Sequence, residues 1–208
     1  MSAKGRVQFA PFYFYTAVAL GLGVAALAGG GPSGGVIILL LVAGLLSWGL
    51  VEYSLHRFIF HYAARSEPGR KLVYAAHLSH HEDPGATDHL FTGLRMSAPI
   101  AAGYWLLAWA ATGSWRAASP LFVGLVAGYF SYEWVHFMSH HGRPRRRVFK
   151  YLRRYHLLHH HRTPGLRFGV TSPLFDLAFG TYRPAWRRRP RAPVLQRQAL
   201  RPADKVGQ

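Results

Sequence analysis

Hydrophobic positions dominate the first quarter of the chain in one unbroken block. From Val7 to Val51 the sequence runs 45 residues without a single Asp, Glu, Lys or Arg, more than twice the ~20 apolar residues that cross a bilayer once. The stretch GGGPSGG at 29–35 interrupts the block as a flexible turn, so the pattern predicts two spans, about 9–29 and about 36–60. A third span fits Met96 to Gly113, and a fourth starts near Ala118 after the short link GSWRA. The first apolar run passes directly into the second without a small-residue cleavage site, so it is expected to stay as an anchor rather than leave as a signal peptide.

Spans two and four offer only about 16 uncharged residues each, 36–51 and 117–132, before Glu52 and Glu133. At 1.5 Å per residue that is ~24 Å, short of the ~30 Å hydrocarbon core. Both helices should therefore continue past the membrane, carrying EYSLHRFIFH and EWVHFMSHH with them.

Charge orients this arrangement. The formal net charge of +17, from 25 Lys and Arg against 8 Asp and Glu, would point to nucleic acid in a soluble protein, but the distribution excludes that partner. With the N-terminus in the cytoplasm, every Lys and Arg except Arg116 falls on the cytoplasmic side, which is a strong positive-inside signal. Both termini are then cytoplasmic. The basic segment 145–161 carries Val148, Tyr151, Leu152 and Tyr155 at helical spacing, and is expected to lie as an interfacial helix against anionic headgroups. Residues 1–183 form one domain on this reading, and 184–208 a basic, Pro- and Arg-rich tail expected to be disordered. The Arg- and Ala-rich composition looks bacterial, which places the protein in the cytoplasmic membrane.

Candidate chemistry lies in four histidine groups, HRFIFH at 56–61, HLSHH at 77–81, HFMSHH at 136–141 and HLLHHH at 156–161; of 13 histidines only His89 stands outside them. Histidine supplies a nitrogen lone pair while its second nitrogen can be oriented by a hydrogen bond. On a helix His77, His80 and His81 share a face, as do His156, His159 and His160. Within each triple the i+3 and i+4 members point about 100° apart, so each triple can reach two metal ions. His136 and His140 repeat the i, i+4 step, whereas His56 and His61 diverge by roughly 140° on α-helical geometry and suit a straddle better than a chelate. All four groups fall on the cytoplasmic side in a topology derived without them.

There is no cysteine, which excludes disulfides, thiolate zinc sites, iron–sulfur clusters and thiolate-ligated haem. A zinc hydrolase would need a base such as the Glu of H-E-x-x-H, and that motif does not occur. A metal transporter would place ligands at midmembrane on a path open to both sides. An oxygen-activating di-iron site needs many nitrogen ligands, dry surroundings and access for an apolar substrate. Phe58, Phe60, Phe91, Phe130 and Phe137 flank the groups, so an acyl chain reaches them more easily than a sugar.

The spacings H-x-x-x-x-H, H-x-x-H-H, H-x-x-x-H-H and H-x-x-H-H resemble those of the fatty acid hydroxylase/sterol desaturase superfamily of membrane di-iron oxygenases. GYFSYEWVHFMSHH, YLRRYHLLHHH and FGVTSPLFDLAFGTY are most similar to the fatty acid 2-hydroxylases that act on sphingolipid acyl chains. The resemblance implies an all-α integral membrane fold, four transmembrane helices with a cytosolic helical cap carrying a histidine-rich dimetal site. It implies two iron ions, with zinc able to replace them on purification, O2 as co-substrate, a lipid substrate and hydroxylation of a C–H bond. The ligands carried over by position are His56, His61, His77, His80, His81, His136, His140, His156, His159 and His160. Glu133, one turn before His136, and Asp176 are candidates to orient ligands from behind. His141, His161 and His89 are not expected to be ligands, and Glu52 is expected as interface structure or a neighbour of His56. The resemblance to the eukaryotic 2-hydroxylases does not extend to their fused cytochrome b5-like domain, and no flavin or nicotinamide fingerprint is present in the sequence. Electrons are therefore expected from a separate ferredoxin, cytochrome b5-like protein or reductase. Carotenoid ring hydroxylation or a sterol desaturase-type oxidation is the alternative, and non-enzymatic metal transport a remoter one.

Overall fold

The computed structural model describes residues 9–28, 30–87 and 90–186. Lys4, Arg6, His89 and the tail from 187 onward, on which parts of the charge and domain expectations fall, lie outside the described residues. Among the described residues every regular element is a helix.

α1 (Ala10–Leu27) and α2 (Gly34–Ser54) take up the first apolar block. α2 runs on into a π-helical segment, Leu55–Phe60, so one continuous rod spans Gly34–Phe60. Mean hydropathy is 1.6 for α1 and 2.4 for that rod, and only 17% and 11% of their apolar windows are buried. Leu20, Val24, Ile38, Leu39 and Leu46 face outward. Core helices of a soluble protein would hide such side chains, whereas bilayer lipid solvates them without cost. Among the described residues these two are the helices long and apolar enough to cross a membrane.

The third and fourth expected spans are helical too, as α5 (Leu94–Thr112) and α6 (Trp115–His141), but neither reaches that standard of apolarity. α5 stops at Gly113, whose φ of 67° is the left-handed conformation that ends a helix most cheaply in glycine. Between the rod and α5 lie α3 (Glu67–Val73), its π-helical continuation Tyr74–Leu78, and α4 (Ser79–Glu82). Ser66 caps α3 by accepting the Gly69 N–H at 3.3 Å, and Glu67 in its first turn with Arg70 and Lys71 in its last complement the helix dipole. α7 (Arg147–Arg162) and the short α8 (Leu174–Ala178) complete the chain.

α6 is the axis, packing against α1, α2, α5 and α7. Its crossing with α2 is backbone on backbone. A Cβ on Gly44 would strike the Leu121 carbonyl, and one on Gly124 the Leu41 carbonyl, so small residues set the separation as they do between membrane helices. Aromatic rings fill the rest: Tyr129 meets Tyr15 edge-on at 5.5 Å and Trp48 at 5.6 Å. With α2 and α6 locked this closely, the His56 and His136 ends of the two rods hold a fixed register.

Candidate metal centre

Ten histidines gather at that end of the bundle into two groups. His56, His61, His77, His81 and His159 form one, and His80, His136, His140, His156 and His160 the other; within each, the five ligand nitrogens all lie within 4.8 Å of one another. In the first, Nε2 atoms stand 3.0 Å apart for His56–His77, His77–His81 and His61–His159, and 3.2 Å for His81–His159. In the second, His80–His140, His140–His156 and His156–His160 are 3.1, 2.9 and 3.0 Å apart. The groups abut where the His81 and His160 rings stack at 4.1 Å.

The helical triples divide between the groups by spacing. The i, i+4 pairs His77/His81 and His156/His160 each stay together, and the i+3 members His80 and His159 cross to the other group. His56 and His61 do not straddle. The π-helical winding closes an i→i+5 bond from the His61 N–H to the His56 carbonyl at 3.2 Å, which sets residues five apart one above the other and brings both rings into the same group. The roughly 140° divergence expected from α-helical geometry is corrected by that change of helix type.

Seven of the ten residues are buried, His156 and His159 completely, and His61, His81 and His140 are half-buried. Burial lowers His61 to about 4. Burial, with neighbouring imidazoles adding to it, lowers His81 and His140 to about 3 and pushes His77, His156 and His159 well below 6.5. At neutral pH the clusters therefore present neutral nitrogen donors. Lone pairs 3 Å apart repel unless a proton or cation lies between them. Nitrogens bound at about 2.1 Å to one cation and at right angles would be about 3.0 Å apart, so each set fits a single transition-metal ion. His136 makes the same point: its Nε2 is buried with no hydrogen-bond partner among the described residues. Ten imidazoles and no thiolate or carboxylate suit iron, copper or zinc.

Two rings of the first cluster are oriented from behind by one strap. His56 donates from Nδ1 to the Phe168 carbonyl, and His159 from Nδ1 to the Leu166 carbonyl at 2.7 Å; carbonyls only accept, so both Nε2 lone pairs are left for a metal. Asp176 holds the strap, accepting the Phe168 N–H at 2.9 Å, the Gly169 N–H at 2.8 Å and the Thr181 hydroxyl at 2.6 Å. Glu52 holds its far end, accepting from the Val170 and Thr171 N–H groups, the Thr171 hydroxyl and Trp48 Nε1. Asp176 thus acts on a histidine through the backbone rather than by touching the ring. Glu133 accepts the Thr92 N–H at 3.1 Å instead of a ring proton of His136. Sequence reasoning missed Glu52 as a strap anchor, together with Leu166 and Phe168, because their contribution is a backbone carbonyl that no side-chain motif marks. His141 and His161 are exposed and outside both clusters.

Next to His56 and Phe60, a cavity opens between α1, α2, α5 and α6, lined by Tyr15, Trp48, Val51, Leu125 and Val126 among others. Its wall is almost wholly apolar.

Residues 41–181 match the family model described as fatty acid hydroxylase. A dihydroceramide fatty acyl 2-hydroxylase of Arabidopsis thaliana is 37% identical over 147 residues, which cover 69% of this chain and 60% of that protein. The ceramide very long chain fatty acid hydroxylase of Saccharomyces cerevisiae is 34% identical over 147 residues, covering 69% of this chain and 38% of its own length. A solved structure described as full-length scs7p, with only the hydroxylase domain visible, matches with a TM-score of 0.77 at 29% identity, over 88% of this chain and 69% of that one. The chain spans about three-fifths of the plant relatives it matches. On the extent of that match, the chain belongs to the fatty acid hydroxylase family.

Proposed function

We propose that the protein is a membrane-bound lipid hydroxylase that uses O2 and two iron ions to place a hydroxyl on an acyl chain, at carbon 2. The observation that carries the reading is the pair of neutral five-histidine clusters abutting at His81 and His160. Iron bound there would supply the O2 activation and the attack on a strong C–H bond. The protein's own residues do the rest. His56 and His159 hold their lone pairs inward through the 166–168 strap. The apolar cavity beside His56 receives a hydrocarbon chain and excludes water.

In this reading α5 and α6 complete a four-span bundle, and the elements bearing the histidines form a cap on the cytoplasmic side, where both termini lie. The carbon attacked and the sphingolipid-type substrate are inferred from relatives described as dihydroceramide fatty acyl and ceramide hydroxylases. The electrons come from a separate carrier.

The test is expression in a host without 2-hydroxy lipids, grown under 18O2, with lipids profiled by mass spectrometry. New 2-hydroxyacyl species carrying one 18O are expected. An iron-loaded protein that produces none overturns the reading, and labelled xanthophylls in a carotenoid-producing host would replace it with ring hydroxylation.

A further inference from the structure

We propose that the cationic groove along the outer face of α7 is the docking surface for an acidic one-electron carrier protein; this rests on the hydroxylase reading above. Hydroxylation balances as RH + O2 + 2 e⁻ + 2 H⁺ → ROH + H2O. One oxygen atom enters the broken C–H bond and the other leaves as water, so two electrons must reach the clusters from outside for each turnover.

The groove is open and lined by Arg143, Lys150, Arg153, Arg154 and Arg162 on one side and Arg183 to Trp186 on the other, with no carboxylate among its residues. Lys150, Arg153 and Arg154 share one face of α7 at i, i+3 and i+4. Around α3 and α4 the charges balance instead: among the described residues the exposed carboxylates Glu67, Glu82 and Asp83 stand with Arg65, Arg70 and Lys71, and Lys71 pairs with Glu67 at 2.7 Å. The uncompensated positive charge on α7 steers an acidic partner to that groove rather than to the balanced surface of α3 and α4.

Charge alone would fit a sheet of anionic headgroups equally well. A second observation favours a redox partner. Trp186 stands on the groove rim, 53% exposed, with the Arg154 guanidinium 4.9 Å above its ring. Its ring lies 6.2 Å from Tyr151, which stacks at 5.8 Å on the fully buried Tyr155, the residue before His156. His161 lines the groove itself, 6.1 Å ring to ring from His160 of the second cluster. Electron tunnelling decays steeply with distance, and here three rings in contact lead from an exposed indole to Tyr155, one backbone step from His156. A lipid headgroup has no use for such a path.

The experiment uses the full chain, iron-loaded, in phosphatidylcholine vesicles, with an acidic [2Fe–2S] ferredoxin and the soluble haem domain of cytochrome b5 as probes. Binding of each carrier is measured by co-sedimentation, and turnover is driven either by the reduced carrier or by hydrogen peroxide, which supplies oxygen and electrons together. The triple charge reversal K150E/R153E/R154E is expected to raise Kd and KM for at least one carrier tenfold or more, leaving peroxide-driven turnover unchanged. Trp186→Leu is expected to leave binding intact and slow carrier-driven turnover several-fold. Binding by neither probe, or binding that the reversal does not weaken, overturns the proposal. So does reversal-sensitive binding that appears only when phosphatidylglycerol is added, since the groove then holds lipid. Absence of peroxide-driven turnover in the wild type counts against the hydroxylase reading, and carrier binding then still reads the surface.

Discussion

The two histidine clusters have the same number of donors and nearly the same spacings, yet they are built on different backbones. The second takes His136 and His140 from α6 and His156 and His160 from α7, both i, i+4 pairs on regular α-helix, with His80 added from α4. The first takes His56 and His61 from either end of a π-helical step, His77 from another π-helical segment, and relies on a strap to aim His56 and His159. One cluster is thus set by ordinary helical periodicity, and the other by a rarer winding and by a loop. π-helical turns are rare and occur frequently at functional sites, and the first cluster is where this fold departs from regular α-helix.

The largest test of that division removes ligands. His77→Ala and His156→Ala are each expected to abolish turnover and lower bound metal from near two per chain to near one, from different sites. His159→Ala is the decisive member: it sits on α7 yet belongs with His61, so cobalt-substituted spectra should show the same site lost as in His61→Ala. A His159→Ala spectrum matching His156→Ala would mean the partition between clusters is wrong.

A smaller effect separates the two backbones. Moving the second histidine of the first group back by one, in the double variant Phe60→His with His61→Phe, creates the i, i+4 spacing that serves the second cluster. Phe60 stacks on the His77 ring at 5.3 Å and lines the apolar cavity, so a histidine there would leave the place His61 holds beside His159 without a donor, and a loss of activity of roughly a hundredfold is expected. Wild-type turnover in that variant would show the segment winding as ordinary α-helix.

This contrast also explains what was legible in the sequence. The helices were, because unbroken apolar blocks and charge placement leave few alternatives; expected spans near 9–29, 36–60, 96–113 and from about 118 compare with helices at 10–27, 34–60, 94–112 and 115–141. The convergence of the histidine groups was legible because i, i+3 and i, i+4 steps have one meaning on an α-helix. The five-residue step from His56 to His61 was not, since nothing in HRFIFH marks a π-helical turn. Nor were the uses of the carboxylates. Glu52 and Asp176 act on backbone N–H groups 118 and 7 to 8 residues away, and such contacts depend on how a loop lies after folding.

The strap gives the next prediction, again asymmetric. His56 and His159 both belong to the first cluster, so Asp176→Asn should weaken metal binding there by about 10- to 100-fold while the second site holds its metal. Stability should fall by about 2 kcal/mol as a charged acceptor of two backbone N–H groups is lost. Equal weakening at both sites, by competitive chelation, would make Asp176 a general fold residue instead.

The smallest expected effect is one the clusters share. His61 in the first is lowered to about 4 and His140 in the second to about 3, both chiefly by burial. Their unfolded-state value is about 6.5. Between pH 6.5 and 4 the unfolded chain therefore binds protons that the folded metal-free protein does not, so stability must fall as pH drops through this window. Thermal melts of metal-free protein should show Tm declining from pH 7 to 4. His61→Ala and His140→Ala should each remove about one proton from that dependence. Because desolvation, not backbone type, sets these shifts, the two variants should flatten the acid limb alike. A flat limb in the unaltered protein would mean that the rings of both clusters are already hydrated, whereas unequal flattening by the two variants would extend the difference between the clusters from their geometry to their exposure to water.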